Sequence, residues 1–460
     1  MLVSEQLCVL DKVFSQFKQA HEQEPRMSLV QRKQALLALK HALLDAQEPL
    51  IAAASEDFGY RERFDTLVSD ILPTIEALDY CRKNLAKWAK PEKRQGGFAH
   101  FPSSLHVHYE AKGVVGVVSP WNYPVNLALS PLAFALAAGN RVMVKLSEYT
   151  PAVNQVLKTL LSSELKRYVA FIEGDAQVGA AFSAKPWDHL VFTGSGHIGK
   201  KVMRSAAENL TPVTLELGGK SPAVILPCAQ VNHAATQIAF GKSTNAGQIC
   251  VAPDFVLLHT SQLDSFITCI KAEVAQLGHR PTKVINQAQA NRLRALKEDA
   301  LSKGAKALEL INGGDQHVLT LLLNVDDSMR VCQEEIFGPL LPIQTYEHIE
   351  DACVALKVQP KPLALYLFAT KRAHWQKVSE QVQSGTLAVN DTLMQVSATD
   401  LPFGGVGASG FGQYHGIEGF YTFSHARSVL KTPHWWPRAK LLLHRSPWLL
   451  KIVTWLYLKK

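Results

Sequence analysis

The sequence predicts an α/β protein built on parallel sheets covered by helices, and three observations carry that prediction. Short apolar runs alternate with helix-length segments from about residue 114 onward, which is the rhythm of repeated βαβ units. The chain has 460 residues, enough for two or three domains with a sizeable core. Hydrophobic residues make up 47% and charged residues 19%, and glycine (28) and proline (23) are ordinary, which excludes wholesale disorder and collagen-like or Pro-rich architectures.

The elements follow in order. Leu7, Leu10, Phe14 and Phe17 recur at helical spacing, as do Leu36, Leu39, Leu43 and Leu44, so residues 5–55 read as helices. Residues 66–90 form another amphipathic helix, closed by Lys90-Pro91. Gly96, Gly97 and Pro102 mark a turn region, and residues 106–118 read as strand, turn and strand. Apolar runs at Val114–Ser119, Arg141–Lys145, Val169–Glu173, Leu190–Thr193 and Ala223–Leu226 predict strands. Asn126–Ala138, Ala152–Leu165 and Gly199–Asn209 predict the intervening helices, and a second alternating region spans about 255–390.

The seven cysteines are odd in number and scattered, with no C-x-x-C pair, so zinc-ribbon and thioredoxin-like readings have no support. The first residues carry no basic-then-apolar signal pattern, and the expectation is a reducing, cytoplasmic setting. No His/Cys/Asp cluster has metal-ligand spacing, so no metal is expected.

Two motifs suggest chemistry by themselves. Gly194-Ser195-Gly196-His-Ile-Gly199 follows an apolar strand and opens a helix, matching the dinucleotide fingerprint G-x-G-x-x-G; a plain glycine turn is the simpler reading. Cys250 sits among Gly247, Gln248 and Pro253, where irregular backbone can expose a thiolate, whereas the other six cysteines lie in apolar or helical contexts and read as buried or inert.

Five segments then have to be taken together: Pro120-Trp-Asn122-Tyr-Pro124, Phe192-Thr-Gly-Ser195, Glu216-Leu-Gly-Gly-Lys-Ser-Pro222, Asn245-Ala-Gly-Gln-Ile-Cys250 and Glu334-Glu335-Ile-Phe337-Gly-Pro339. In this order and spacing they resemble the aldehyde dehydrogenase superfamily. Residues 401–410, with Tyr414-His-Gly416 and Phe423-Ser-His425, resemble its class 3 branch, and Glu56-Asp-Phe-Gly-Tyr60 and Ile71-Leu-Pro73 resemble the coniferyl-aldehyde dehydrogenase group within it. The resemblance covers about residues 25–430.

It implies NAD(P)-dependent oxidation of an aldehyde to the acid, with coniferyl-type aromatic or medium to long aliphatic substrates. Cys250 is then the nucleophile, Asn122 the oxyanion donor and Glu216 the general base. Lys145 and Glu148 hold the adenosine ribose; Gly194, Ser195 and Gly199 approach the pyrophosphate; Glu335 binds the nicotinamide ribose and Phe337 packs by the ring. Leu146 stands where the family usually has proline, and Ile249 where threonine is frequent. A carboxylate at Glu148 favours NAD, with NADP also acceptable to class 3 relatives. Tyr123 and Met394 are candidate substrate contacts, with Asn126 and Leu393 beside them. His415 and His425 are read as structural.

The implied architecture is a Rossmann-like cofactor domain over 1–102 and 119–214, an α/β catalytic domain over 215–394 and a small strand oligomerisation extension over 103–118 and 395–430, consistent with a homodimer. Residues 431–460 form a separate tail with seven basic and no acidic residues, which accounts for nearly all of the net charge of +8 and argues against a nucleic-acid face on the body. Four of the eight tryptophans lie in it, and Trp448–Leu458 is apolar except for Lys451 and Thr454. Eleven residues cannot span a bilayer, which takes about 20. The tail suits peripheral contact with an anionic membrane, or a helix over the substrate entrance or a partner subunit. Two other classes stay open at this point: a thiol esterase using Cys250 and Glu216 without redox chemistry, and a non-catalytic membrane-surface protein.

Overall fold

A computed structural model describes residues 3–97 and 100–458. The chain divides into two units, Met1–Trp88 with Ala111–Ser424, and Ala89–Glu110 with His425–Lys460.

The larger unit carries two sheets. In the first, the strands stand in the order Gly410–Phe411, Val213–Leu217, His189–Gly194, Val114–Val118, Arg141–Lys145, Val169–Ile172. All neighbours are parallel except the two-residue strand Gly410–Phe411, which runs antiparallel to Val213–Leu217. Among the parallel strands, the first in the chain lies at the centre and the order reverses between it and His189–Gly194. Such a switch point is where open α/β sheets bind ligands, beyond the carboxyl ends of the strands.

Val-Val-Gly-Val-Val forms the central strand because it is apolar on both faces and lies between two layers. Helix Asn126–Ala138 is apolar all round, so it is buried from Leu127 to Ala138, and it stops where Gly139 turns left-handed (φ 94°). Helix Val3–Gln23 buries Leu10, Phe14 and Phe17. These join Phe182, Trp187 and Leu190 in one cluster, with Phe14 edge-on to Trp187 at 4.9 Å.

The second sheet has seven strands in the order Lys306–Ile311, His317–Leu323, Leu340–Tyr346, Phe255–His259, Pro222–Ile225, Ala364–Phe368, Thr386–Val389. It is parallel apart from its first hairpin. The smaller unit holds a three-stranded sheet, Glu92–Arg94, Ser104–Ala111 and Ser424–Lys431, followed by helices Arg438–Leu443 and Pro447–Val453 and the π-turn Thr454–Leu458.

Several expectations need correction. Residues 103–118 do not act together: Ser104–Ala111 joins the three-stranded sheet, while Val114–Val118 is the central strand of the six-stranded one. The alternating pattern of the first strand and the unbroken apolar run of the second mark a half-exposed and a fully buried strand, which belong to different layers. Of 395–430, Gly410–Phe411 edges the six-stranded sheet and only the last strand joins the small one. A boundary at 215 cuts through strand Val213–Leu217. The helix expected over 66–90 is Arg63–Thr66, a π-turn at Leu67–Ile71, then Leu72–Trp88. The helix expected over 152–165 ends at Thr159; beyond it the Ser162 hydroxyl accepts the Leu165 N–H at 3.2 Å, a local bond that competes with continued helix. Leu44 faces solvent, and Cys8 is exposed although its helix is amphipathic.

Candidate active site

At the switch point, a cleft of about 630 Å³ opens between the carboxyl ends of Val114–Val118 and His189–Gly194 and the loops of the seven-stranded sheet. Asn122, Gly194, Ser195, Glu216, Cys250, Glu335 and Phe337 all line it, joined by Trp121 and Arg292. Residues spread over more than two hundred positions thus converge on one space.

Cys250 follows the turn Thr244–Gly247, in which Asn245 (φ 48°), Ala246 (φ 53°) and Gly247 (φ 69°) are all left-handed. A Cβ at Gly247 would stand 2.7 Å from the Gly338 carbonyl oxygen, so this close approach requires glycine. Non-glycine residues held in that region cost of order 1–3 kcal/mol each, and the surroundings must impose it. They do so with hydrogen bonds. The Gln248 side chain donates to the carbonyls of Asn245 (2.9 Å) and Lys283 (3.1 Å) and accepts from the Ile285 N–H (3.0 Å). The Asn245 amide donates to the carbonyls of Asn122 (3.3 Å) and Gln248 (3.2 Å).

Asn122 is buried, and its Nδ2 donates to the Gln248 carbonyl at 3.1 Å. One N–H of an amide with two is thus used to fix its direction, which leaves the other for a group in the cleft. The Cys250 thiol is half-buried and free. Burial, then the carboxyls of Glu335 and Glu216, push its pKa up to about 12, partly offset by the backbone N–H groups of Cys250 and Val251.

Glu216 is buried on strand Val213–Leu217, between Thr193 and Gly410 of the neighbouring strands. Neither carboxyl oxygen has a hydrogen-bond partner among the described residues, and burial raises its pKa well above the usual carboxylate range. The ion pair that would make Glu216 an ordinary structural residue is absent from the described residues. Glu335 is pushed up to about 7 by burial and then by Asp254. Its carboxyl fills the space a Cβ at Gly218 would need. Phe337 has φ 49°, and its ring stands edge-on to Trp121 at 5.3 Å.

Other expected residues lie apart. Lys145 and Glu148 form an ion pair at 2.7 Å at the end of strand Arg141–Lys145 and do not line the cleft. Gly199 is buried in helix Gly196–Ala207, where a Cβ would stand 2.6 Å from Leu217 Cδ2; it permits close helix–strand packing and does not line the cleft. Tyr123 is buried with the Arg61 guanidinium over its ring at 5.0 Å. Met394 is exposed and outside the cleft lining. Its neighbours reach inward, since the Leu393 N–H and Gln395 Nε2 donate to the Tyr366 hydroxyl, which donates to the Val251 carbonyl at 2.6 Å. His415 is buried against Phe134, Phe403 and Tyr414 and pushed down to about 4 by burial, a structural histidine, and His425 lies on the exposed strand of the small sheet.

Several groups that line or back the cleft carry no local sequence pattern. Lys220 Nζ bonds Asp254 and donates to the carbonyls of Val331 (2.7 Å) and Glu334 (3.0 Å), while Asp254 accepts the Ile336 N–H at 2.8 Å. Arg292 adds bonds to the carbonyls of Glu335 (3.2 Å) and Ile336 (2.6 Å). Together they anchor the segment that presents Glu335. Lys242 is fully buried with no hydrogen-bond partner among the described residues, and burial pushes it down to about 8. The one available signal was a charge inside an apolar run, as at Asp254. Among the described residues, no cluster could hold a metal ion.

A Rossmann-ordered sheet with a cysteine, a buried carboxyl and an amide at its switch point defines a dinucleotide-linked oxidoreductase site. The chain belongs to the aldehyde dehydrogenase family, whose sequence pattern matches residues 8–429. It is 48% identical over 434 residues to a probable coniferyl aldehyde dehydrogenase of Pseudomonas aeruginosa, covering 92% of this chain and 91% of that one. It is 42% identical over 437 residues to a coniferyl aldehyde dehydrogenase of a Pseudomonas species, covering 92% and 90%. Class 3 members from mouse and Dictyostelium match as well. The substrate-bound structure of Staphylococcus aureus AldH superposes with a TM-score of 0.86 at 34% identity, covering 98% of this chain and all of that one. The protein is therefore an aldehyde dehydrogenase, which oxidises aldehydes with NAD(P).

Proposed function

We propose that Cys250, Asn122 and Glu216 carry the reaction and that coniferyl-type aromatic aldehydes are the substrates. The observation behind the first part is that these three residues line one cleft together with Gly194 and Ser195. Support for the second is the kinship to two coniferyl aldehyde dehydrogenases over nine-tenths of the chain.

The Cys250 thiol gives its proton to solvent, and Sγ bonds the aldehyde carbonyl carbon, leaving a thiohemiacetal oxyanion. The free N–H of Asn122 and the Cys250 N–H donate to that oxygen; one such donor is worth about 10²–10³ in rate. Bound NAD(P) would supply the hydride acceptor. Loss of hydride from the former aldehyde carbon re-forms the carbonyl as a thioester on Cys250. Glu216 takes a proton from water, the hydroxide oxygen bonds the acyl carbon, and the C–S bond breaks to release the acid. A buried carboxyl with no ion-pair partner among the described residues suits that role, since a carboxylate held near its usual pKa would be a weak base.

The residues present fit the cofactor. Gly194 and Ser195 sit at the N-terminus of a twelve-residue helix, where N–H groups favour a pyrophosphate. A Cβ at Gly196 would meet nothing within 4 Å, so the approach there is open. Glu335 would bind the nicotinamide ribose, and Phe337 would wall the ring. Lys145 and Glu148 would take the adenosine ribose hydroxyls, and Gly199 would serve by seating the helix. Glu148 favours NAD over NADP, because a carboxylate repels a 2′-phosphate. Tyr123 and Met394 remain the proposed substrate-side residues, Tyr123 as a buried wall.

The test is reduction of NAD and of NADP over a panel of coniferaldehyde, benzaldehyde and aliphatic aldehydes of two to sixteen carbons. The expected result is a kcat/KM highest for coniferaldehyde and about tenfold or more in favour of NAD. Preference for long aliphatic chains would overturn the substrate assignment.

A second reading concerns the tail. Trp435, Trp448, Trp455, Leu442, Leu443, Leu450 and Leu458 are exposed among Arg438, Lys440, Arg445 and Lys451. No helix among the described residues is long and apolar enough to cross a membrane. We propose that this stretch lies on an anionic lipid surface, the enzyme being peripheral at the inner, cytoplasmic face, and that the small sheet, whose edge strand Ser424–Lys431 is largely exposed, pairs with a second copy in a homodimer. Sedimentation with phosphatidylglycerol vesicles at low salt is expected, with loss on removing residues 434–460. Equal sedimentation of the truncated chain would contradict it.

A further inference from the structure

The segment between residues 58 and 70 contains three charged side chains that are buried and lie behind the cleft. Arg61 and Asp70 are fully buried 3.6 Å apart, and Asp65 is buried beside them. Burying charge is expensive unless the group meets opposite charge or hydrogen bonds, so such a cluster needs a reason.

Its contacts supply one. Asp70 Oδ1 accepts the Asn126 N–H at 2.6 Å, and the same carboxyl also accepts the Val125 N–H. It therefore caps the helix that begins four residues after Asn122, whose own N-cap residue makes no side-chain cap bond. Asp65 Oδ2 accepts the Asn245 N–H at 3.0 Å and the Thr282 hydroxyl at 2.6 Å. Asn245 is the first left-handed residue of the turn before Cys250, and its amide also holds the carbonyls of Asn122 and Gln248. One carboxylate thus grips each half of the oxyanion site. Arg61 is attracted to both, with its guanidinium over the rings of Phe58 at 4.8 Å and Tyr123 at 5.0 Å. A π-turn at Leu67–Ile71 places Asp70 on the inward side of its helix.

We propose that Asp65, Arg61 and Asp70 form a buried acid–base–acid clamp that sets the register between the Asn122 turn and the Cys250 loop, and so act as positioning residues for the oxyanion. The inference rests on the proposed roles of Asn122 and Cys250. Removing a carboxylate frees one half to move against the other, and displacements of about 1 Å in such a site can cost 10²-fold. The Gln248 side chain still holds the turn before Cys250, so the thiol is expected to keep its reactivity.

The test uses the full-length Asp65→Asn, Asp70→Asn and Arg61→Met variants, with two readouts beyond thermal stability. The first compares kcat for aldehyde oxidation with the rate of Cys250 alkylation by iodoacetamide, which forms no oxyanion. Each variant is expected to lose about tenfold or more in kcat while alkylation changes less than about twofold. The second combines Asp65→Asn and Asp70→Asn with Asn122→Ala. If the clamp acts through Asn122, each adds less than about twofold to the loss already caused by Asn122→Ala. Parallel losses in kcat, alkylation and melting temperature, or full additivity with Asn122→Ala, would overturn the clamp and leave an ordinary structural cluster. Unchanged kcat would overturn it as well. An inactive wild-type chain would instead defeat the functional reading on which it rests.

Discussion

Glu216→Gln is expected to lower kcat by about 10²–10⁴, the usual range for a lost general base, while cofactor affinity and the first turnover survive. The glutamine keeps the shape of a buried side chain that has no hydrogen-bond partner among the described residues. What is lost is the ability to take a proton from water, so NADH should appear in a burst of about one equivalent per active site and then nearly stop. The pH profile carries the same information. Burial holds the Glu216 carboxyl protonated well above the usual range, and only the ionised form is a base. Wild-type kcat should therefore rise with pH above the usual carboxylate range, and the part of that rise that belongs to Glu216 should be gone in Glu216→Gln. A rapid-quench and pH series on both proteins checks it; a variant with the wild-type slope would place the base elsewhere.

Cys250→Ala has the largest expected effect, a loss of about 10⁵ or more, because no covalent intermediate can form without the nucleophile. Stability should change little: the thiol is half-buried, and the turn before it is held by Asn245, Gln248 and Asp65 with no contribution from sulfur. The same variant tests whether one thiol serves both oxidation and any ester hydrolysis. It should lose NADH formation and any ester hydrolysis together, yet still bind NAD. Residual oxidation above one per cent of wild type, measured beside an unchanged melting curve, would remove Cys250 from the mechanism.

The route from sequence to site was legible where the pattern is local. Val-rich runs that are apolar on both faces mark buried parallel strands, and those runs form the observed sheets. Cys250 stands out because Gly247 and Pro253 break regular structure around it. Other features depend on contacts between distant residues. Asp65 meets Asn245 across 180 positions, and nothing in its neighbourhood distinguishes it from a solvent-facing helix carboxylate. Val114–Val118 follows Ser104–Ala111 across a plausible turn at Gly113, yet its two apolar faces belong to another layer. Gly199 shares a fingerprint with Gly194, but Leu217 is what demands it. Asp254 lies in a short apolar stretch where it looks misplaced, and its pairing with Lys220, 34 positions away, explains it.

The most direct test of the central claim is the intact mass of Glu216→Gln after mixing with coniferaldehyde and NAD. The account predicts one acyl group, the mass of the aldehyde less two hydrogens, on the peptide containing Cys250, formed only when NAD is present and matched by one equivalent of NADH. An unmodified protein beside a stoichiometric burst of NADH, or an adduct formed equally without NAD, would contradict it.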